Sequence, residues 1–255
     1  MKKRLLLVIY FVIFSLSSLA TAETVRLANG EYPPYCSEHL PHYGIWSHIV
    51  TEAFALEGVT VEYEFFPWKR ALVLVQNGEQ DGSLAFSKTH ERLKTLQYSD
   101  TPLGDASVVF FYRKKDGFDW TMVDDLKGHR IGVMQGYSSA EIFEQLKQEG
   151  AALTLEYAST EFQNLKKLMT GRIDIFPAVK TVTMRVLQDK FTAEDTALIT
   201  THPVPWAEQE LHVVFSKNIQ RTEYLHQAFE RGLKTLKESG RYDQMMQDYF
   251  SGSYD

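Results

Sequence analysis

The sequence predicts an α/β fold in two lobes, and three observations carry that expectation. Short apolar strand candidates alternate with segments of helical periodicity along almost the whole chain. The strand–helix units fall into two sets. Extended stretches near 102–112 and 201–210 join the sets, the second broken at Pro203 and Pro205. Alternating strands and helices imply largely parallel sheets, because a parallel pair needs the long crossover that a helix supplies.

In the first set, 25–28 is a strand candidate. Residues 45–56 place Ile49, Val50, Ala53 and Phe54 at helical spacing, with Gly58 beyond as the C-terminal cap. Residues 60–66 alternate, with Val61, Tyr63 and Phe65 on one face, which is a strand pattern. Pro67 then opens a helix that Gly78 closes. Residues 81–86 form the next strand. The second set runs strand 129–134, helix 138–149, strand 153–157, helix 161–170, strand 173–176 and helix 180–188. Near the end Leu225, Phe229, Leu233 and Leu236 share one helical stripe, with Thr222 as N-cap and Gly240 as the stop, and 241–250 is a last short helix.

The chain opens Met1-Lys2-Lys3-Arg4, an apolar run over 5–14, then SLSSLATAE. A basic head, an apolar middle and small residues at Ala20-Thr21-Ala22 predict a signal peptide over 1–22, cut before Glu23. The apolar run is short against the roughly 20 residues of a spanning helix, and no basic residues follow it. No Cys stands at the cleavage site to carry a lipid. The expected compartment is the periplasm. The net charge is −6, and loss of Lys2, Lys3 and Arg4 with the leader takes it to −9. An acidic exported chain is a poor partner for nucleic acid or an anionic membrane. One cysteine, Cys36, excludes an internal disulfide.

The most informative stretch is SLAFSKTHERLKTLQYSD, residues 83–100. A buried strand runs straight into hydroxyls and an arginine, with no Gly or Pro to mark an ordinary turn. Ligands of open α/β sheets sit beyond the carboxyl ends of strands, which is where Ser87 to Arg92 fall. Thr89 is positioned to cap a short helix, and Glu91 suits its first turn. A guanidinium at Arg92 can clamp a carboxylate with two parallel hydrogen bonds, beside the Ser87 hydroxyl and backbone amides. At 134–138 a strand, Gly136 and a helix start follow in turn, and Ser138 and Glu141 have capping-box spacing. Tyr32, Tyr35, Trp68, Phe86, Tyr137 and Trp206 are candidate aromatic walls, whereas Phe65 reads as core. Cys36, His39 and His42 form C-x2-H-x2-H, with Glu38 and His48 nearby. A loop containing Pro41 is a poor ligand frame, so surface histidines beside a buried thiol are expected rather than a metal site. Hydrolase, metalloprotease, Walker and dinucleotide motifs are absent.

Five segments in order resemble the type II periplasmic solute-binding proteins, the amino-acid ABC importer type (bacterial solute-binding protein family 3). They are NGEYPPY, the run FFPWKRALVLVQNGEQDGSLAFSKTHER, DDLKGHRIGVMQGYSSAEIF, LMTGRIDIFPAV and GLKTLKESGRYDQMMQDYF. The resemblance implies a two-lobed fold of two mixed, mostly parallel sheets with a cleft between the lobes. Lobe 1 would comprise 23–104 and 206–255, and lobe 2 would comprise 105–205. It implies a monomeric binder, not an enzyme, that delivers a carboxylate-bearing solute to an ABC permease without a cofactor. Arg92 would hold the carboxylate with Ser87 and Ala85. Trp68 and Tyr32 would wall the ligand, and Gly136, Tyr137 and Ser138 would meet it from lobe 2. Closure would bend hinges near Leu103 and Pro205. One departure matters: Val179 stands where the family's amino-acid binders place an Asp for the ligand ammonium. Asp174 reads as structural. Either Glu31 or another acid replaces the missing group, or the ligand lacks an α-amine, in which case Lys180 and Arg70 favour an anionic one. A sensory binder for a membrane receptor is the alternative, and a dehydratase of the same fold a weaker one.

Overall fold

A strand covered on both faces reads as a continuous apolar run, and IFPAV at 175–179 is buried at every position. The computed structural model describes residues 23–254; the leader expected at 1–22 lies outside the described residues. The strands are β1 (Glu23–Asn29), β2 (Val59–Phe65), β3 (Gly82–Phe86), β4 (Leu96–Tyr98), β5 (Gly104–Arg113), β6 (Arg130–Met134), β7 (Thr154–Ala158), β8 (Ile175–Val179), β9 (Ile199–Thr201) and β10 (Ala207–Ser216). The helices are α1 (Ile45–Leu56), α2 (Trp68–Asn77), α3 (His90–Thr95), α4 (Ser138–Gln148), α5 (Glu161–Met169), α6 (Lys180–Lys190), α7 (Ala193–Ala197), α8 (Thr222–Glu238) and α9 (Arg241–Phe250).

The sheet order is β2-β1-β3-β10-β5-β8-β6-β7, with β4 on β10 and β9 on β5. It is mixed. Parallel pairs, β2-β1-β3 and β8-β6-β7, lie toward the two flanks. The centre is antiparallel, because β5 and β10 are long strands that serve both halves. The first part of β10 pairs with β5, and its end pairs with β3 and β4. The stretch foreseen near 102–112 is largely β5, whereas only 207–210 of the stretch near 201–210 belong to β10, and 202–206 lie outside the strands.

Each half has its own core. In the first, Leu27, Phe54, Phe215, Phe229 and Leu233 pack between the β1–β3 face and helices α1 and α8. In the second, Phe111, Leu165 and Phe176 fill one side of the sheet and Phe110, Val133 and Phe143 fill another. Trp206 belongs to the latter group. Its ring stacks on Phe143 at 5.0 Å and meets Phe110 and Trp120, so it packs, partly buried, on this core and is not the cleft wall that the sequence suggested.

Two caps differ from expectation. Thr222 is the first helical residue of α8, after Arg221, and its hydroxyl donates to the Ile219 carbonyl at 2.8 Å instead of accepting from the helix. Ser138 likewise follows the true N-cap, Tyr137, so its capping box with Glu141 does not form. Thr89 behaves as predicted and accepts from the Arg92 amide at 3.2 Å.

Helices α1 and α8 cross where Gly232 faces Ala53. A Cβ at 232 would overlap the Ala53 carbonyl. Overpacking at such a contact costs roughly 1–3 kcal/mol or more, so Gly232→Ala should lower stability by about 2 kcal/mol in urea titration. An unchanged midpoint would mean that the two helices separate easily.

Candidate functional site

Strand β3 ends irregularly. Ala85 adopts φ of +65°, which a residue with a Cβ seldom does, and the register against β10 shifts between His212 and Val214. The turn this produces leads through Phe86 and Ser87 to the Thr89 cap. Arg92 lies one turn into α3, and only 2% of it is exposed. A buried guanidinium must be hydrogen-bonded on all sides to offset its desolvation. Nε donates to Glu141 Oε1 at 2.9 Å, and Nη2 lies 2.8 Å from the same oxygen. Nη2 also donates to the Gly136 carbonyl at 2.8 Å, and Nη1 makes a long 3.4 Å contact with the Ser87 carbonyl. The Thr89 hydroxyl donates to the other Glu141 oxygen at 2.8 Å. The Phe86 ring lies 5.2 Å from the guanidinium carbon. Glu141 comes from α4 in the other half, so Arg92 joins the halves across the cleft.

Gly136 makes that approach possible. Its φ is +90°, and a Cβ there would overlap the Trp68–Lys69 backbone at the start of α2. Tyr137 follows, and then Ser138, whose hydroxyl donates to Gln209 Oε1 at 3.2 Å. The aromatic wall comes from the first half. Trp68 lies over Gly30, where a Cβ would overlap the indole, and its Nε1 donates to the Glu31 carbonyl at 3.1 Å. Tyr32, Trp68 and Tyr137 meet edge to face, with ring centroids 6.1–6.3 Å apart.

Tyr32, Trp68, Ala85, Ser87, Arg92, Gly136, Tyr137 and Ser138 therefore line one inner cavity, all eight singled out by sequence. Phe86, Val179, Gln209 and Leu211 complete it. At about 30 Å³ the cavity is shut down to the space of a water or two. Val179, not an acid, occupies its place on the wall. Lys180 and Arg70 are exposed and absent from the lining, and Arg70 lies 5.1 Å over Phe66. Neither is therefore placed to favour an anionic ligand there. Tyr35 stacks on Trp46 at 4.2 Å and donates across to Thr181 at 3.2 Å, outside the inner cavity. Asp174 is structural, as expected: Arg130 donates to it from the backbone and the side chain.

An outer compartment of about 460 Å³ opens on the far side of Trp68. Phe65, read as core from its alternation, is only partly buried and lines it. Glu161, the first residue of α5, also lines it and is 6% exposed. The Thr183 hydroxyl donates to one carboxyl oxygen at 3.2 Å and the Tyr137 hydroxyl to the other at 3.4 Å. Burial pushes its pKa up to about 7, against the pull of those two hydroxyls. In the sequence Glu161 is marked only as the start of a helix.

The cysteine–histidine set does not assemble. Cys36 is fully buried, and burial raises its thiol to about 12. His42 stacks on His48 at 3.9 Å. His39 lies instead with Glu31 and Glu38, all three exposed. Among the described residues no helix is long and apolar enough to cross a membrane.

Residues 26–252 match the model of the bacterial extracellular solute-binding proteins, family 3. The chain belongs to that family. Its fold is also that of several solved structures. An amino acid ABC transporter substrate-binding protein from Streptococcus pneumoniae, bound to L-arginine, has a TM-score of 0.71 at 21% identity, covering 91% of this chain and 96% of that one. A histidine kinase sensor domain similar to periplasmic binding proteins gives 0.73 at 17%, covering 89% and 96%. The ancestral amino-acid-binding protein AncCDT-1, a precursor of cyclohexadienyl dehydratase, gives 0.67 at 21%, covering 89% and 95%. At these identities the likeness is one of fold. No curated protein matches the sequence.

Two expectations follow for this family member. The folded state holds the Glu161 proton up to about pH 7, whereas an unfolded Glu releases it near pH 4.5. Its burial therefore costs nothing at low pH and its full penalty above pH 7, on the order of 3 kcal/mol. Glu161→Gln lacks that penalty, so its melting temperature should pull ahead of wild type between pH 5 and 8; a constant gap would mean that Glu161 stays ionised. Gly136→Ala should block the approach of the turn to α2. Loss of compaction in small-angle scattering is expected, and an unchanged profile would show that the turn yields.

Proposed function

We propose that this protein captures a small carboxylate-bearing solute, an amino acid or related organic acid, in the cleft and delivers it to an ABC transporter. The observation that carries the reading is the convergence of seven other cleft residues around the buried Arg92. A ligand carboxylate on Arg92 would take the place of Glu141, with the Ser87 hydroxyl beside it. Tyr32, Trp68 and Tyr137 would cover the ligand body. The Arg92 Nη1, held only by its 3.4 Å contact, is the donor most open to a new acceptor.

Entry requires the halves to part. Lobe 1, 23–104 with 206–255, and lobe 2, 105–205, would rotate about the strands β5 and β10, near Leu103 and Pro205. Separation releases Gly136 from α2 and Glu141 from Arg92, and reclosure on the ligand restores the Gly136 contact. The closed monomer would then dock on a permease in the inner membrane, the signal peptide over 1–22 having placed it in the periplasm. No cofactor and no bond-making step enters this account. The similar sensor domain supports one other reading, in which the same closure is reported to a membrane receptor.

Thermal unfolding of the purified protein against amino acids, dicarboxylates, keto acids and aromatic acids tests the proposal. A ligand at about 1,000 times its dissociation constant adds roughly 4 kcal/mol, or about 8–16 °C for a chain of this size. Arg92→Ala should abolish the shift, and Glu141→Ala should keep it. Equal loss in both variants would make the pair a latch and not a ligand clamp. Turnover of the bound compound would overturn the binder reading.

A further inference from the structure

We infer that the outer compartment is a cation subsite, in which Glu161 and the surrounding rings receive an ammonium or guanidinium group. The inference rests on the carboxylate reading of Arg92 and deepens it: the ligand would carry both charges, with its body lying along Trp68 and Tyr137.

Three features converge. Glu161 is a carboxyl in the cleft with only neutral donors, one hydroxyl on each oxygen. No Lys, Arg or His among the described residues pairs with it, whereas Arg92, the other buried charge of the cleft, is paired with Glu141. A carboxylate accepts about four hydrogen bonds, so Glu161 retains capacity for a multivalent donor. The compartment around it offers Trp68 and Phe65, whose faces attract cations, while Phe66 and Phe162 already carry Arg70 and Lys166 over their rings at 5.1 and 5.4 Å. Its rim is acidic. Glu31 and Glu38 are free of ion pairs in the described structure, and Asp189 is held by Arg185 at 2.8 Å. Lys190 and His39 are the basic groups that face the same space, and Lys190 is exposed.

The two compartments are linked. Trp68 lines both, and Tyr137 lines the inner cavity while its hydroxyl reaches Glu161 in the outer one. A chain between carboxylate and cation would therefore run beside one indole and one phenol. A cation arriving at Glu161 would favour the ionised carboxylate and release the proton that burial retains. This arrangement also answers the loss of the acid at Val179: the positive end of the ligand would be read in another place and from another helix.

Matched probes test the subsite by titration calorimetry. 5-Aminopentanoate is compared with pentanoate, and 4-guanidinobutanoate with butanoate, so that each pair differs in the cation. The cationic member should bind the wild-type protein at least 10-fold more tightly. Glu161→Gln, which preserves shape, should bring it down to the affinity of its neutral match. Equal affinities within both pairs, or a difference that survives Glu161→Gln, would overturn the inference while leaving the Arg92 clamp standing. Butylammonium separates the two claims from the other side. Binding of this carboxylate-free cation to wild type and not to Glu161→Gln would support the subsite even where Arg92→Ala leaves carboxylate binding untouched.

Discussion

The structure turns on keeping one positive charge out of water. Arg92 is almost wholly buried, and an unpaired guanidinium at that depth would cost several kcal/mol. Its neighbourhood is arranged to prevent this. The left-handed Ala85 bends the end of β3, Thr89 starts α3 so that Arg92 points inward, and the partners arrive from the opposite half as the Gly136 carbonyl and the Glu141 carboxylate. With those partners withdrawn, the charge faces an open cleft in need of an anion. In the proposed binding mode the same residue would both favour closure and create the demand for a ligand.

That demand has a built-in competitor. Glu141 gives Arg92 what a bound carboxylate would give, so a ligand bound as proposed would have to displace an internal group that is already tethered. Its advantage has to come from contacts that Glu141 lacks: the aromatic faces of Trp68 and Tyr137 and the donors of the inner cavity. A carboxylate without a body to fill that space should bind poorly. Family membership is consistent with such a trap, and the histidine kinase sensor domain shows the fold in another setting.

Much of this was legible in the sequence, for physical reasons that differ by element. Helices α1, α2 and α8 announce themselves because a stripe of apolar residues must face a core, and Gly78 marks the end of α2 with a left-handed cap. Arg92 stood out because it follows the carboxyl end of a strand, where ligands of such sheets sit, and because the segment around it resembles the motif of this family. Glu141 was read as a local partner of Ser138, three positions before it. It spends its carboxylate on Arg92, 49 residues away, and no spacing rule contains that pairing. Glu161 looked like any acid at a helix start, since its burial depends on Tyr137 and Thr183 packing over it. Trp206 failed in the opposite direction. It was grouped with the cleft aromatics, but it packs against Phe143 and Trp120.

The most direct test is an experimental structure of the protein with the carboxylate that stabilises it most. The account predicts the ligand carboxylate on the Arg92 guanidinium, Glu141 displaced from it, and Gly136 against the start of α2. A ligand bound elsewhere, with Glu141 still on Arg92, would contradict it.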